Sequence, residues 1–400
     1  MFDAILIAST GLSAYSRGLS NISNNVSNLN TAAYKRSSMQ FQDLIYNQSS
    51  TLGREGNGVI AGKPLPVFTQ GELRRTGNAL DVAIDGDGYF ILSKDGKTFY
   101  TRDGQFDFDS DGVLVGRQSR VPVMSLSETG QLAALNITPL RNMAGTPTAL
   151  IKLDGTLSTT DADRSHTISD INVVSAAGVA SKASLVFNDE TDPAVTGVDH
   201  RWGFTVRNDR SETVASGTLI FGSDGSPATG ADKFAFDWPS PGGTQKVTLD
   251  FGTPGGFAGL TSFSAGGTST ARLQSADGKT SGSYTASAYE DDGSVVLNYS
   301  NGEKRTAGRL ALAWFAEQDR LVAQGASLWT DPDKALTAVG APQTLRLGQL
   351  SGGEIEASNV DLTQQFSELI VVQRAYQASS QVISTANEMM QQLFDMRGRR

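Results

Sequence analysis

Positions 5, 8, 12, 15, 19, 22, 26 and 29 are Ile5, Ala8, Leu12, Tyr15, Leu19, Ile22, Val26 and Leu29. Steps of three and four that land on an apolar or aromatic residue every time form a heptad seam, and they predict an amphipathic helix of about 28 residues. The other end repeats the design with Leu362, Phe366, Leu369, Gln373, Tyr376, Ser380, Ile383, Asn387, Met390 and Phe394. Val372, Val382, Met389 and Leu393 widen that apolar face. Ser358-Asn359 reads as the N-cap, Asp361 suits the first turn, and Arg397, Arg399 and Arg400 suit the far end of the dipole. A helix of about 35 residues follows. Gln373, Ser380 and Asn387 recur every seventh position. Buried in a seam, such polar residues restrict register and partner number at a cost in stability.

Between these helices the period changes to two. Asp87-Gly88, Asp95-Gly96, Asp103-Gly104 and Asp111-Gly112 are evenly spaced and flank Tyr89-Phe90-Ile91-Leu92, Thr98-Phe99-Tyr100-Thr101, Phe106-Asp107-Phe108 and Val113-Leu114-Val115. Short β-favouring runs separated by Asp-Gly turns predict a meander. Strand patterning returns at 185–187, 202–206, 218–221 and 247–251, and again at 295–299 and 310–315. Gly-, Ser- or Pro-rich stretches near 53–62, 144–148 and 275–283 mark boundaries.

If the terminal helices pair, the flanking β segments come together and the chain is nested. The expected fold is mostly β with long α-helical termini: paired helices in a coiled coil, a split β-domain and an inserted outer β-domain. The divisions are an N-terminal helix and linker over 1–70, inner β-domain parts over 71–147 and 284–357, an insertion over 148–283 and a C-terminal core helix over 358–400. Two ordinary helices packed on a single globular domain are the plainer alternative.

Composition sharpens the picture. Residues 1–30 hold eleven Ser or Asn residues plus Gly11 and Gly18. Relative to Ala these disfavour the helix by roughly 7 kcal/mol, so it is expected to form only when its seam is covered. The ends should then be disordered in a free subunit and fold on assembly. The Gly-rich stretch near 53–62 is the expected flexible boundary. The net charge is −9, and the near-neutral ends leave the acidic surplus in the β body. Such a surface binds phosphate backbones poorly, so no nucleic-acid partner is expected. No apolar run is long enough to span a bilayer, and the start lacks a basic signal-peptide region, so no membrane insertion is expected and any export takes another route.

There are no cysteines and two histidines in 400 residues, which excludes thiolate chemistry and makes imidazole-based catalysis or a three-histidine metal site improbable. His166 and His200 sit in polar stretches and read as surface loop residues. Asp107 to Gly112 resembles half of an EF-hand loop, but Gln118 stands where the bidentate Glu belongs, so a β-turn is expected. Glu290-Asp291-Asp292 precedes Gly293 and reads as a hairpin turn, while Gly255-Gly256 and Gly266-Gly267 lack a phosphate-loop ending. No catalytic residue, metal or cofactor is assigned.

Several linked motifs resemble the flagellar rod and hook axial protein family. They are Asn21-Ile22-Ser23-Asn24-Asn25-Val26-Ser27-Asn28-Leu29-Asn30-Thr31 with Tyr34-Lys35-Arg36, then Asp81 to Phe90, then Tyr100-Thr101-Arg102-Asp103-Gly104. Asn298-Tyr299-Ser300-Asn301-Gly302, Ser358 to Leu362 and Val372-Gln373-Arg374-Ala375-Tyr376-Gln377 complete the set. The likeness covers about residues 1–140 and 285–400, and the stretch 150–283 fits the insertion that hook-type members carry and rod members lack. Ala33 departs from the usual Gly, which suggests that its backbone does not need positive φ.

The resemblance implies a non-enzymatic subunit of a homo-polymeric helical tube, placed extracellularly at the basal body and exported by the flagellar type III apparatus. It also implies hook cap, distal rod and hook–filament junction proteins as partners. Ile5, Leu12, Leu19, Ile22, Val26, Leu29, Leu362, Phe366, Leu369, Gln373, Tyr376, Ser380, Ile383, Asn387 and Met390 are the expected subunit interface. A distal rod protein and a secreted β-rich glycan-binding or glycan-cleaving protein are the competing readings.

Overall fold

The computed structural model describes residues 2–45, 56–127, 129–191, 200–240, 243–264 and 267–397. Gly53, Gly266, Arg399 and Arg400 lie outside the described residues. The fold is mostly β, 46% strand, between two helices, α1 (Phe2–Ser27) and α2 (Leu362–Arg397). Asp361 caps α2: its Oδ1 accepts the N–H groups of Thr363 at 2.7 Å and Gln364 at 3.2 Å. That corrects the expected cap, because the Asn359 side chain is committed elsewhere, donating to the carbonyls of Val67 and Thr69 and accepting Arg36 N–H. Among the described residues no helix is long and apolar enough to cross a membrane.

The chain folds as two compact units. The first comprises Met1–Thr138, Ser287–Leu297 and Arg305–Arg400. Its main sheet is antiparallel and six-stranded, in the order Val322–Gly325, Leu328–Thr330, Lys97–Thr101, Tyr89–Lys94, Leu312–Phe315 and Leu336–Gly340. Tyr89, Ile91, Tyr100, Ala313, Phe315 and Trp329 form its core. Phe315 meets both tyrosine rings edge-on, at 5.6 and 4.8 Å between centroids, a favourable aromatic geometry.

The meander prediction holds only in pieces. Tyr89–Lys94 and Lys97–Thr101 form a hairpin, and its Asp95-Gly96 turn has φ of 52° and 75°, as a type I′ turn requires. Phe106–Phe108 pairs with Leu114–Gly116. Asp109 Oδ1 organises the turn between them by accepting Asp111 N–H and Val113 N–H. The meander breaks at Lys97–Thr101, whose second neighbour is Leu328–Thr330 rather than Phe106–Phe108, and Val82–Asp85, outside the predicted meander, pairs with Gln349–Gly352 from the other end of the chain. Val82, Ala83 and Ile84 are all fully buried, and a strand covered on both faces is completed by distant chain rather than by a local hairpin.

Of the stretch near 53–62, residues 53–55 lie outside the described residues and the rest is ordered backbone. Gly56–Ala61 is a strand paired with Phe41–Ile45. At φ 104°, Gly58 lies where a Cβ would fall 2.1 Å from Thr10 Oγ1, so this glycine serves a close approach to α1 rather than flexibility.

The second unit comprises Pro139–Ala286 and Asn298–Lys304. One of its sheets runs Lys233–Ser240, Gly243–Asp250, Leu150–Ser158, Leu260–Phe263, with Arg272–Ala276 also on Leu150–Ser158. The other is antiparallel: Ser165–Val174, Ala180–Asp189, His200–Arg207, Thr213–Phe221. Alternating residues from both sheets, among them Leu153, Phe187, Trp202, Phe204, Trp238 and Phe251, share one core, which makes a β-sandwich. Both histidines sit on strands and are half-buried, correcting their assignment to surface loops; His166 Nε2 lies 2.6 Å from the carbonyl of Ala271.

Candidate functional site

The two helices pack against each other in the first unit along a line of small residues. Ala8, Gly11, Ala14, Gly18, Ile22 and Asn25 are the buried positions of α1. A Cβ on Gly11 would stand 2.9 Å from Ser379 Oγ, and one on Gly18 would stand 3.2 Å from Val372 Cγ1 and 3.1 Å from Phe41 Cζ. Glycines that look like liabilities for helix propensity therefore let side chains of the partner helix approach the α1 backbone.

The contact line runs beside the predicted seam rather than along it. In α1, Ile22 is buried, while Ile5, Leu12, Leu19 and Val26 are half-buried and Leu29 lies in the turn beyond the helix. In α2, Leu369, Ile383 and Met390 are half-buried. Leu362, Phe366, Gln373, Tyr376, Ser380 and Asn387 are exposed, and the helix buries Gln365, Val372 and Ala386 instead. Gln373, Ser380 and Asn387 are thus no buried register pins within this chain. The close approach at small residues pulls the helices together on that face and leaves the large apolar side chains outside.

What remains outside is extensive. Phe366, Ile370, Val371, Leu393, Phe394 and Met396 are each more than half exposed, and Val382 and Met389 nearly so. Exposed apolar side chains in this number on one helix mark an interaction surface.

At the base of the helices a polar joint ties the two chain ends together. Asn25 and Gln365 are almost wholly buried, and Asn25 Nδ2 donates to Gln365 Oε1 and to the carbonyl of Ser37, both at 2.9 Å. Its Oδ1 accepts Ser37 N–H at 3.0 Å and the Tyr34 hydroxyl at 3.2 Å. This asparagine satisfies its full hydrogen-bonding capacity across three segments, the role that sequence periodicity assigned to Gln373, Ser380 and Asn387.

Next to it lies a charge cluster. Lys35 Nζ is 2.5 Å from Glu356 Oε1, Arg102 is 3.5 Å from Glu356 Oε2, and all three side chains are under 5% exposed. Glu356 Oε1 also accepts Gly71 N–H at 3.0 Å, and Lys35 donates to the carbonyl of Thr69 at 2.9 Å. Arg102 stacks over the Tyr89 ring, 5.2 Å from its centroid. Burial pulls the Lys35 ammonium below its ordinary pKa, with Glu356 opposing that shift, and burial pushes the Tyr89 phenol up. Two cations around one carboxylate leave this pocket with a formal surplus of +1.

The backbone tightens the same joint. Ala33 N–H donates to the carbonyl of Glu356 at 2.8 Å, and Ala33 has φ 55°. The expectation that Ala33 needs no positive φ is therefore wrong, and this alanine occupies the strained conformation itself. Ala33→Gly relieves about 1 to 2 kcal/mol of left-handed strain. It gives up about 0.8 kcal/mol of methyl burial and about 0.5 to 1 kcal/mol of chain entropy, so it should be near neutral. Ala33→Val should cost about 2 kcal/mol or more, since a β-branched side chain fits this region worst. Urea unfolding of the two variants checks the contrast.

Asp103, adjacent to Arg102, is held at about 6 rather than 3.8, chiefly by burial. The folded state therefore binds more protons than the unfolded chain between those values. Its contribution to stability is greatest below pH 4 and declines as pH rises through 6. Asp103→Asn keeps an acceptor for Gln105 N–H and removes the titration. It should stabilise the protein at pH 7 by about 1 to 2 kcal/mol and flatten its stability between pH 4 and 6. Unfolding curves across that range test this.

The charge cluster was not found from the sequence. Lys35 and Arg102 stand in the quoted motifs, but Glu356 lies 321 positions from Lys35, and no local spacing links them. Among the described residues no group of three or more His, Asp or Glu is arranged to hold a metal ion.

Comparisons with known proteins agree with this architecture. Residues 83–143 match the family model described as the flagellar hook protein FlgE/F/G D1 domain, and residues 351–396 match the flagellar basal body rod FlgEFG protein C-terminal model. The flagellar hook protein FlgE of Escherichia coli is 28% identical over 98% of this chain and 99% of the relative. That of Brucella abortus is 29% identical over 97% of each chain, and that of Treponema pallidum 26% over 99% of this chain and 100% of the relative. The crystal structure of Helicobacter pylori flagellar hook protein FlgE2 shares the fold at a TM-score of 0.50 and 11% identity, covering 71% of this chain and all of that one. The likeness runs from one helical end through the β body to the other, and each of these relatives is named a flagellar hook protein.

Proposed function

We propose that the chain is a structural subunit of the bacterial flagellar hook, a homo-polymeric tube lying outside the cell at the basal body. The observation that carries this reading is the end-to-end likeness to proteins named flagellar hook protein, together with the large apolar side chains of α2 that stay about half exposed or more among the described residues. Exposed apolar area of this kind is a cost to a lone subunit and a driving force for a polymer.

In this reading α1 and α2, over 1–70 and 358–400, form a coiled-coil core lining the tube. An inner β-domain from 71–147 and 284–357 surrounds that core, and an outer β-domain from 148–283 lies beyond it. Phe366, Tyr376, Gln373, Ser380 and Asn387, exposed in the single chain, then belong to contacts between subunits, where the three polar residues set register. The polymer is a curved coupling that transmits torque from rod to filament. Cap, distal rod and hook–filament junction proteins are its neighbours, and the type III apparatus delivers it.

Electron microscopy of polymers grown from the purified chain separates the alternatives. A curved tube is expected; a straight rigid rod would favour a distal rod protein, and a persistent saccharide-binding monomer would favour the glycan-directed reading.

A further inference from the structure

The six-stranded sheet of the first unit carries two features, one near each edge, that stay uncovered among the described residues. Beside the Val322–Gly325 edge lies a groove of about 800 Å³ with walls that include Leu65, Pro66, Leu321, Val322, Ala323 and Trp329. Leu65 and Val322 are both more than 40% exposed. Beyond the opposite edge strand, Leu336–Gly340, the chain turns through Gln343 and Leu345, at φ 62° and 56°.

Leu345 is 80% exposed, the most exposed large apolar side chain among the described residues. Its loop is nevertheless pinned: Gln343 N–H donates to the carbonyl of Gly348, Leu347 N–H to that of Thr344, and Gly348 N–H to that of Asp87. A leucine held in a left-handed conformation, on a tethered loop and 80% exposed, costs the subunit free energy. The strain is therefore read as preorganisation for a partner.

We propose that Leu345 of one subunit inserts into the groove beside Val322 of a second copy of this chain. Charge supports that occupant. Arg346, next to Leu345, stacks on Trp314, and the groove is lined by Asp319 and Asp333. Of the groove's cations, Arg320 is paired with Glu317 and Lys35 with Glu356, leaving Lys63 as the opposing charge. Geometry supports it too. Six strands at about 4.8 Å spacing put the outer strands about 24 Å apart, so knob and groove are different patches on one unit. A knob-to-groove contact of this kind is heterologous and propagates from copy to copy instead of closing a two-fold dimer. It adds an axial or lateral link between β units to the contacts of the helical core.

This inference rests on the polymeric reading, and the test keeps the two apart. Since the chain has no cysteine, Leu345→Cys and Val322→Cys together place the only thiols at the two patches. Assembled polymer treated with a short bis-maleimide should give a covalent ladder of dimers, trimers and higher species, while each single variant gives none. An intact polymer without a ladder overturns the knob-to-groove contact and leaves the hook reading standing. Dimers from Leu345→Cys alone would place two knobs together and overturn it as well. Failure of the unmodified chain to polymerise counts against the hook reading itself, and the contact falls with it. If the double variant does not assemble, Leu345→Asp decides: its monomer should unfold like the parent, and its critical concentration should rise at least tenfold. An unchanged critical concentration refutes the contact.

Discussion

Replacing Glu356 with Gln is expected to destabilise the subunit by about 3 to 5 kcal/mol, the largest loss for any single polar substitution in the first unit. The reason is the imbalance already present. Among the described residues Glu356 is the one carboxylate paired with Lys35 and Arg102, and all three are nearly fully buried. Removing it leaves two uncompensated ammonium and guanidinium groups in a water-poor pocket, and it weakens the acceptor for Gly71 N–H. Lys35→Met should cost much less, because the remaining Arg102–Glu356 pair is neutral overall. Urea titrations of the two variants, followed by near-ultraviolet circular dichroism, check the order. Equal losses would mean that the cluster acts by packing rather than by charge.

Asn25→Ala should be the second most damaging change, and its effect should appear mainly in the polymer. The substitution strands Ser37 N–H and the Gln365 amide in a buried site, at about 1 to 3 kcal/mol for each group left without a partner. The critical concentration for assembly should rise at least tenfold. Asn25→Leu combined with Gln365→Leu removes both members of the interhelical bond and should recover part of the loss. If the double variant is as poor as the sum of the singles, the Asn25–Gln365 bond is not what joins the helices.

Both residues show what the sequence made legible. The heptad pattern located both helices to within a few residues, because amphipathic periodicity is a local property. It missed which positions meet. Periodicity weighs side-chain hydrophobicity, whereas the contact line is chosen by backbone approach, and Gly11 and Gly18 permit that approach. Asn25 was counted with the residues that weaken a helix, yet it is the residue that fixes one helix against the other.

Alternation and Asp-Gly turns point to ten strand stretches, but not to Val82–Asp85 or Gln349–Gly352. Their pairing was legible only where the turn was local, as at Asp95-Gly96. Val82–Asp85 with Gln349–Gly352 and Lys35 with Glu356 are contacts between chain ends, and no spacing rule reaches across an intervening domain. Ala33 erred for a related reason: an alanine in place of glycine reads as relaxed backbone, while the hydrogen bond from its N–H to Glu356 holds it in the strained region.

The central claim is that the terminal helices bury their exposed apolar side chains by self-assembly. Helical reconstruction of the polymer by electron cryo-microscopy tests it most directly. The account predicts α1 and α2 in the innermost wall of the tube, with Phe366, Ile370, Val371, Val382 and Met389 packed against neighbouring subunits. A tube in which those side chains face solvent, or whose subunits meet through the β units alone, would contradict it.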